Sequence, residues 1–430
     1  MKKYFIITFG CAMNVSDSER IEAHLQRNGW KKSPSPESSD LIVVNMCSIR
    51  QSAVNRVFGR MKFFSKLKKK NPKLKTMLTG CILKRDFEKL RAGFDFILPV
   101  SRIASFSKIA KKGERTHIFL KRTEKEGIKY LKQGKTATSY IPVSVGCDNF
   151  CTYCVVPYTR GKETCRAPEE IIKEAKESIR QGTKEIWLLG ENVNAYNHPD
   201  LKKKTVDFAD LLRKIERIPG YFWIRFISSN PKYFSEKLIS TISDSEKITK
   251  YLSLPLQSGD EGILKRMNRG YTAREYEKTV EKILEKIPEC FLSTDAIVGF
   301  PGETEKQFQN TAKLFEKLKF DMAYISQYSP RRGTEAFKMK DNVPREEKIR
   351  REMMLNDILK KTAFEKNEKL VGKTVEALPQ FFKNGILEGK TKEYKTIKFE
   401  GPASLIGKFA KVEVTECLPW GLKGKEKGVK

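Results

Sequence analysis

The chain has 430 residues, with 84 Lys and Arg against 53 Asp and Glu, a formal net charge of +31 and a sequence pI near 9.6. That balance argues against a scavenger of small neutral molecules and for a polyanionic partner, nucleic acid first. Hydrophobic content of 39% and charged content of 32% describe a globular chain of two to four domains at roughly 100 to 200 residues each. No run approaches the ~18 apolar residues of a membrane span, and Tyr4–Phe9 is too short for a signal-peptide core, so a cytoplasmic protein away from membranes is expected.

Tyr4–Phe9, Leu41–Met46 and Thr76–Thr79 are short apolar runs that read as buried strands of a parallel sheet. Between the first two, Ser16 and Glu19 stand at capping-box spacing and open a helix that meets Gly29. Val54, Val57, Phe58, Met61 and Phe64 share one face of a second helix. Residues 1–120 are therefore expected to form a doubly wound α/β domain, with Phe94–Val100 as a fourth strand. The charge-rich stretch Lys121–Lys135 predicts a linker over 121–136. A second βα alternation spans 137–365, with strands beginning near Ile141, Ile186, Trp223, Leu252, Leu292 and Ala323. Helices start near Pro168, Asp207, Ser235, Thr272, Thr304 and Pro344. Six units are too few for an eightfold closed barrel, so a partial barrel is predicted. From about Val371, short strands and the turn Lys383-Asn384-Gly385 predict a small antiparallel β-barrel over 366–430.

The nine cysteines are odd in number in a chain without an export signal, which favours metal or redox chemistry over a disulfide framework. Cys11, Cys47 and Cys81 each follow one of the three buried strands directly or after a single Gly. The carboxyl ends of parallel strands share one edge, where ligands bind, so the three thiols would converge. Each is otherwise an ordinary buried cysteine. Zinc would want a fourth Cys or His, and His24, His117 and His198, the chain's three histidines, stand away from these strand ends. Three thiolates alone fit an iron–sulfur cluster with one iron left open. Cys147, Cys151 and Cys154 form a second set, C-x3-C-x2-C, after the first strand of the barrel. Its loop can wrap three corners of a cuboid cluster, and a zinc ribbon would need a second pair that Cys165 alone does not supply. Cys165, Cys290 and Cys417 have no partner at ligand spacing and read as structural.

The second motif, with the aromatic Tyr153 between its last two cysteines, closely resembles that of the radical S-adenosylmethionine (radical SAM) enzymes. Together with TFGCAMN, NMCSIR, GC at 80–81, LGENVNAY, LPLQSGDEGILKRMNRGYT, AIVGFPGETE and YSPRRGT, it resembles the methylthiotransferases over essentially the whole chain. CAMN and VVPYTRG look closest to the subfamily acting on isopentenyl adenosine in tRNA. The resemblance implies a transferase with two [4Fe–4S] clusters, on Cys11, Cys47 and Cys81 and on Cys147, Cys151 and Cys154, and S-adenosylmethionine as cofactor. It implies a TRAM-like RNA-binding C-terminal domain and a radical SAM barrel. In that family one cluster's open iron binds S-adenosylmethionine, and reductive cleavage gives a 5′-deoxyadenosyl radical that activates C2 of an N6-isopentenyl (dimethylallyl) adenosine beside the anticodon. The other cluster is associated with the sulfur to be attached. A reductant such as flavodoxin or ferredoxin, and a monomeric chain, complete the expectation. Ser253, Asn230, Cys165 and Glu191 stand where the family usually has His, His, Ser and Gln; none of them is one of the six cysteines, and they bear on details of substrate contact.

Gly299, Pro301 and Gly302 follow an apolar strand. Their turn is either an ordinary strand-to-helix connection or, as the resemblance implies, a place where backbone approaches S-adenosylmethionine. Asp295 is a candidate for a ribose hydroxyl or a structural acid. Glu191 and Asn192, at the end of the second barrel strand, carry the same alternatives, and position favours function. Between Arg60 and Lys75 stand eight basic residues and no acidic one, a solvated helix face or a phosphate contact. Residues 366–430 hold 14 Lys and 8 Glu, a local charge of +6, with Phe381, Phe382, Tyr394 and Trp420 interspersed; rings and charge suit single-stranded RNA. Competing readings are a methylthiotransferase for threonylcarbamoyl adenosine or for an aspartate of a ribosomal protein, and a non-catalytic RNA-binding iron–sulfur protein.

Overall fold

The amino-terminal sheet is assembled from β1 (Lys3–Phe9), β2 (Lys31–Lys32), β3 (Leu41–Met46), β4 (Lys75–Gly80), β5 (Phe96–Ile97) and β6 (Thr116–His117), all parallel, in the order β2-β1-β3-β4-β5-β6. The computed structural model describes residues 2–49, 51–119 and 137–427. Strand β3 is buried at every position, as a strand covered on both faces must be. Leu41 and Val43 pack with Ile21, Leu25 and Phe106, from α1 (Ala12–Arg27) and α4 (Ile103–Lys112). Ile42 and Val44 pack on the opposite face with Val54, Val57 and Leu90, from α2 (Gln51–Lys70) and α3 (Lys84–Arg91). The predicted doubly wound domain is thus present, with differences at its ends. Helix α1 starts at Ala12 rather than at Ser16, because Cys11 is its N-cap and exchanges a capping box with Asn14. The fourth strand is cut to two residues, ending ahead of Pro99, which has no N–H to offer the ladder. The predicted linker lies outside the described residues.

The central domain begins with β7 (Thr138–Pro142). Two short strands, β8 (Ser144–Val145) and β9 (Thr164–Cys165), pair antiparallel across the single-turn helix α5 (Val156–Thr159). Then come α6 (Pro168–Arg180), β10 (Glu185–Leu189), a hairpin of β11 (Asn197–Pro199) and β12 (Thr205–Asp207), α7 (Phe208–Glu216), β13 (Trp223–Phe226) and α8 (Glu236–Ser243). The second half holds β14 (Tyr251–Ser253), α9 (Glu261–Arg266), α10 (Ala273–Lys286), β15 (Phe291–Val298), α11 (Glu305–Leu318), β16 (Met322–Gln327) and α12 (Arg345–Glu368). The six predicted strands form two parallel sheets, β7-β10-β13 and β14-β15-β16, joined by a parallel bridge from Ile224 to Ile248. The result is a partial barrel, open between β7 and β16. Asp207, Ser235, Thr272 and Thr304 each accept a backbone N–H at a helix start, which is why those starts are readable in the sequence.

Helix α12 runs through the expected boundary at 365 and 366 to Glu368. It leads into a closed barrel of β17 (Thr374–Lys383), β18 (Ile386–Thr391), β19 (Thr396–Glu400), β20 (Ala410–Leu418) and β21 (Gly421–Glu426) in the order β17-β18-β19-β21-β20. Asn384 and Gly385, both at positive φ, make the predicted hairpin turn. The barrel is not wholly antiparallel: β19 and β21 pair parallel. A closed ring of five strands cannot alternate direction all the way round, so one parallel neighbour pair is unavoidable.

This third domain is docked under the central barrel. Arg225, buried inside β13, donates from Nη2 to the Thr391 carbonyl and from Nη1 to the Lys392 carbonyl, both at 2.8 Å. Tyr394 rests on Trp187 and Tyr251 with ring centroids 5.0 and 4.6 Å apart. Among the described residues no helix is long and apolar enough to cross a membrane.

Candidate active site

The first cysteine triad is fixed by the backbone of the sheet edge. Cys47 N–H donates to the Phe9 carbonyl and Cys81 N–H to the Met46 carbonyl, each at 2.8 Å, so both continue the ladder just past their strands. Glycine before cysteine is a steric need here. A Cβ at Gly80, which sits at φ +97, would stand 2.3 Å from the Met46 carbonyl oxygen, and one at Gly10 would stand 2.2 Å from Asn14 Oδ1. Asn14 organises the edge: its Oδ1 accepts from the Cys11 N–H at 3.2 Å, and its Nδ2 donates to Asn45 Oδ1 at 2.9 Å. The Cys81 thiol is held well above the ordinary range by its hydrogen bond with Cys47 and by burial. Burial and the nearby Cys81 raise Cys11. The three thiols therefore share one locus, as the strand-end argument requires.

The second triad lies in the loop after β7. Gly146 turns at φ +82 against the Lys162 and Gly161 carbonyls, where a Cβ would clash at 2.4 and 2.7 Å. Cys154 N–H donates to the Cys151 carbonyl at 2.9 Å, and Thr152 is pinned to Met267 and Arg266 through its N–H and hydroxyl. Burial pushes Cys147 up to about 11, with Glu163 and Cys151 adding to it, and Cys154 up to about 12, with Cys151 and Cys147 adding to it. Arg269 donates from Nη1 to the Cys151 sulfur at 3.2 Å and to the Tyr153 hydroxyl at 3.4 Å.

One cavity of about 540 Å³ joins the two sets: Cys11 lines it from one side and Cys147, Cys151 and Cys154 from another. Tyr153, Glu191, Asn192 and Asp295 line it too, as do Asn230 and Ser253. Glu191 accepts from the Gly146 N–H at 3.1 Å and thereby braces the second cysteine loop. Gly299 does not line the cavity. Its N–H donates to Glu303 Oε2 at 2.6 Å, and the Lys348 side chain covers its α-carbon. Cys165 stands in β9 opposite Ser144, and neither it nor Cys290 nor Cys417 lines the cavity.

Sequence reasoning missed the residue that ties the triads together. Arg160, just after α5, donates from Nε to the Cys81 sulfur at 3.0 Å, pairs through Nη1 with Asp17 at 2.7 Å, and has Glu191 at 3.8 Å. It belongs to VVPYTRG, and the signal was an arginine six residues beyond the last cysteine. Arg331 plays a similar part, donating from Nη2 to the Ile49 carbonyl at 3.0 Å and from Nη1 to Gln51. Ser16 also reaches the Tyr140 carbonyl, at 3.2 Å. These contacts seat the amino-terminal sheet edge over the carboxyl ends of the barrel strands.

Each triad offers thiols alone, the donor type that an iron–sulfur cluster takes, with one thiolate to each iron. A six-unit partial βα barrel with three thiols on the loop after its first strand defines a radical SAM protein, and a model of the Radical SAM superfamily matches residues 141–315. Models of the Uncharacterized protein family UPF0004 and of the TRAM domain match residues 3–98 and 368–426. The chain is 41% identical over 435 residues to a tRNA-2-methylthio-N(6)-dimethylallyladenosine synthase of Dictyoglomus thermophilum, covering 99% of this chain and 98% of that one. It is 39% identical to the synthase of the same name from Carboxydothermus hydrogenoformans, over 98% of this chain and 99% of the other. The chain belongs to this family of radical SAM methylthiotransferases. Among solved structures, the radical S-adenosylmethionine methyltransferase TsrM of Kitasatospora setae shares the fold, with a TM-score of 0.56 at 13% identity, covering 90% of this chain and 81% of that one.

Proposed function

We propose that the protein attaches a methylthio group to C2 of an N6-dimethylallyl adenosine in tRNA, with a [4Fe–4S] cluster on each cysteine triad. The observation that carries this reading is the single cavity walled by Cys11 on one side and by Cys147, Cys151 and Cys154 on the other. When bound, the clusters supply reductive cleavage of S-adenosylmethionine at one triad and a sulfur carrier at the other. The chain's own groups do the rest. Arg160 and Arg269 place a positive charge beside a cysteine sulfur of each triad, which would offset the negative charge that bound clusters bring into the site. Asn149, Asn192, Gln257 and Asp295 offer polar contacts for nucleoside and amino-acid groups. The sheet edge above and the docked domain below both contribute walls to the cavity, through Cys11 and through Tyr394. Chain charge of +31 and the match to a TRAM domain support RNA as the partner. The electron must come from outside, which calls for a small redox protein such as flavodoxin or ferredoxin.

A competition tests the substrate. Offered prenylated tRNA, unmodified tRNA and the ribosomal protein under the same reducing conditions, the reconstituted enzyme is expected to form methylthio product on prenylated tRNA alone. Product on the ribosomal protein, with none on the tRNA, refutes the reading.

A further inference from the structure

The cavity has two chemically different kinds of wall. The amides and carboxylates described above make one. The other is a bed of rings, Tyr140, Trp187, Tyr251, Tyr324 and Tyr394, of which Tyr140, Trp187, Tyr251 and Tyr394 share an apolar cluster with Ala12 and Met13, next to Cys11. Trp187 and Tyr251 are 4 and 5% exposed, and the pair packs edge to face with centroids 6.0 Å apart. The cations against them are spent on the protein: Arg225 bonds Glu185, Thr249 and the Thr391 and Lys392 carbonyls, and Lys390, whose Nζ lies 4.7 Å from the Tyr394 ring centroid, donates to Thr396 Oγ1. The largest surfaces of this wall are ring faces, and the Tyr251 hydroxyl is taken up by Ser293.

Tyr394 is the unexpected member, since it comes from the C-terminal domain, more than 200 residues after Trp187. Its backbone sits at φ +70, a left-handed conformation that is a genuine outlier for a bulky aromatic residue. Such strain costs on the order of 1–3 kcal/mol and persists only where the surroundings enforce it. Here they do: the Tyr394 N–H donates to the Thr391 carbonyl at 2.9 Å, while Arg225 holds the Thr391 and Lys392 carbonyls from below. A solvent-facing RNA contact would need no such arrangement.

We propose that this aromatic bed, completed by Tyr394, is the subsite for the apolar N6 substituent of the substrate adenosine. The proposal rests on the prenylated-tRNA reading above. S-adenosylmethionine and an adenosine must share the cavity, and the dimethylallyl group is the largest substituent among them with no polar atom. On adenine, C2 and the carbon bearing N6 flank N1 and lie on one edge of the base, so a base with C2 facing the cysteines keeps its N6 substituent within reach of the rings that line the same cavity. The polar groups of the cavity then take the nucleoside and the rings take the prenyl group. In this view the C-terminal domain both carries basic charge for RNA and supplies one wall of the specificity pocket.

The test compares binding of two synthetic anticodon stem-loops, prenylated and unprenylated, to the reconstituted full-length enzyme with S-adenosylmethionine present, by fluorescence anisotropy. The wild type is expected to prefer the prenylated stem-loop by about tenfold or more, the scale of one apolar group filling an apolar pocket. Tyr394→Ala is expected to bring that ratio near one while affinity for the unprenylated stem-loop stays put, and Tyr394→Phe to keep the preference. If the wild type shows no preference, the substrate reading itself fails. If the wild type discriminates and Tyr394→Ala discriminates equally, the subsite fails alone. An equal loss on both stem-loops would reduce Tyr394 to a residue that seats the domain and would overturn the proposal, as would a Tyr394→Phe variant that loses the preference.

Discussion

Arg160 offers the sharpest test of how the two halves of the site are held together. Its side chain is 3% exposed and that of Asp17 is 2% exposed, with 2.7 Å between Nη1 and Oδ2. Replacing it by Met removes the cation and leaves the Asp17 carboxylate buried with Arg20, at 3.3 Å, as the remaining ion-pair partner that the geometry provides. Breaking a buried pair in this one-sided way costs about 3–5 kcal/mol. At ~2–4 °C per kcal/mol for domains of this size, the unfolding transition should fall by roughly 6–20 °C. Calorimetry of the anaerobically reconstituted protein reads this directly. Arg160→Lys keeps the charge but not the fork that serves Asp17 and Cys81 together, so it should recover only part of the loss. Pairing Arg160→Met with Asp17→Asn removes the orphaned charge and should restore more than either single change predicts. Arg180, paired with Glu177 at the surface with a side chain 74% exposed, is the control, and Arg180→Ala should shift the transition little. If Arg160→Met behaves like Arg180→Ala, the strut between the triads is not what the geometry says it is.

The reconstituted chain should hold about eight irons; changing Cys147, Cys151 and Cys154 together to Ala should leave about four, and intact or wholly absent iron would contradict two independent sites. Cys151→Ala should abolish reductive cleavage of S-adenosylmethionine, whereas Cys47→Ala should still yield 5′-deoxyadenosine without methylthio product; loss of cleavage in both would overturn the division of labour. Gly80→Ala forces a Cβ to within 2.3 Å of the Met46 carbonyl at a φ of +97, so it should displace Cys81 and lower iron content by about half with the second site unaffected, which iron analysis against the triple variant checks. Burial pushes Glu163 up to about 7 from an ordinary 4.5. The folded chain then keeps a proton that the unfolded chain has lost between those values, so stability falls as pH rises from about 4.5 to 7 and levels off above. At about 1.4 kcal/mol per pH unit the loss reaches up to about 3 kcal/mol; Glu163→Gln should remove that slope in thermal scans, and an unchanged slope would show that the group does not titrate as described.

What the sequence made legible was whatever depended on local pattern. The six strands and the helix starts at Asp207, Ser235, Thr272 and Thr304 follow from apolar runs and from side chains that cap helices. The convergence of Cys11, Cys47 and Cys81 follows from strand direction alone. The start of α1 escaped because cysteine is not a residue one reads as a cap, while Ser16 and Glu19 imitate a capping box one turn too late. Gly299 shows the reverse error of emphasis: the turn is real, yet Glu303 and Lys348 occupy the space around it. Arg160, Arg225 and Arg331 all stood inside quoted or predicted segments, but their partners lie 79, 166 and 282 positions away. No periodicity encodes contacts of that separation. A charged residue in the middle of the apolar strand Trp223–Phe226 was the one local hint that something polar must enter the barrel from elsewhere.

That hint bears on why the chain carries three domains in one unit. A parallel sheet gathers thiols along its carboxyl edge but leaves them facing solvent, and a partial barrel open between β7 and β16 cannot seal its own lumen. Setting the sheet edge over the strand ends covers the upper side, through the Arg160–Asp17 pair and the Arg331 contact with Ile49. Seating the loop before β19 beneath the barrel covers the lower side, through the Arg225 contacts with Thr391 and Lys392. Both contacts use guanidinium groups, whose planar forks can satisfy a carboxylate, a sulfur or two carbonyls at once. An apolar interface would join the domains as well, but it would tolerate sliding. A fork that has to meet two carbonyls fixes the docking angle, and with it the place of Tyr394 relative to the cysteines above.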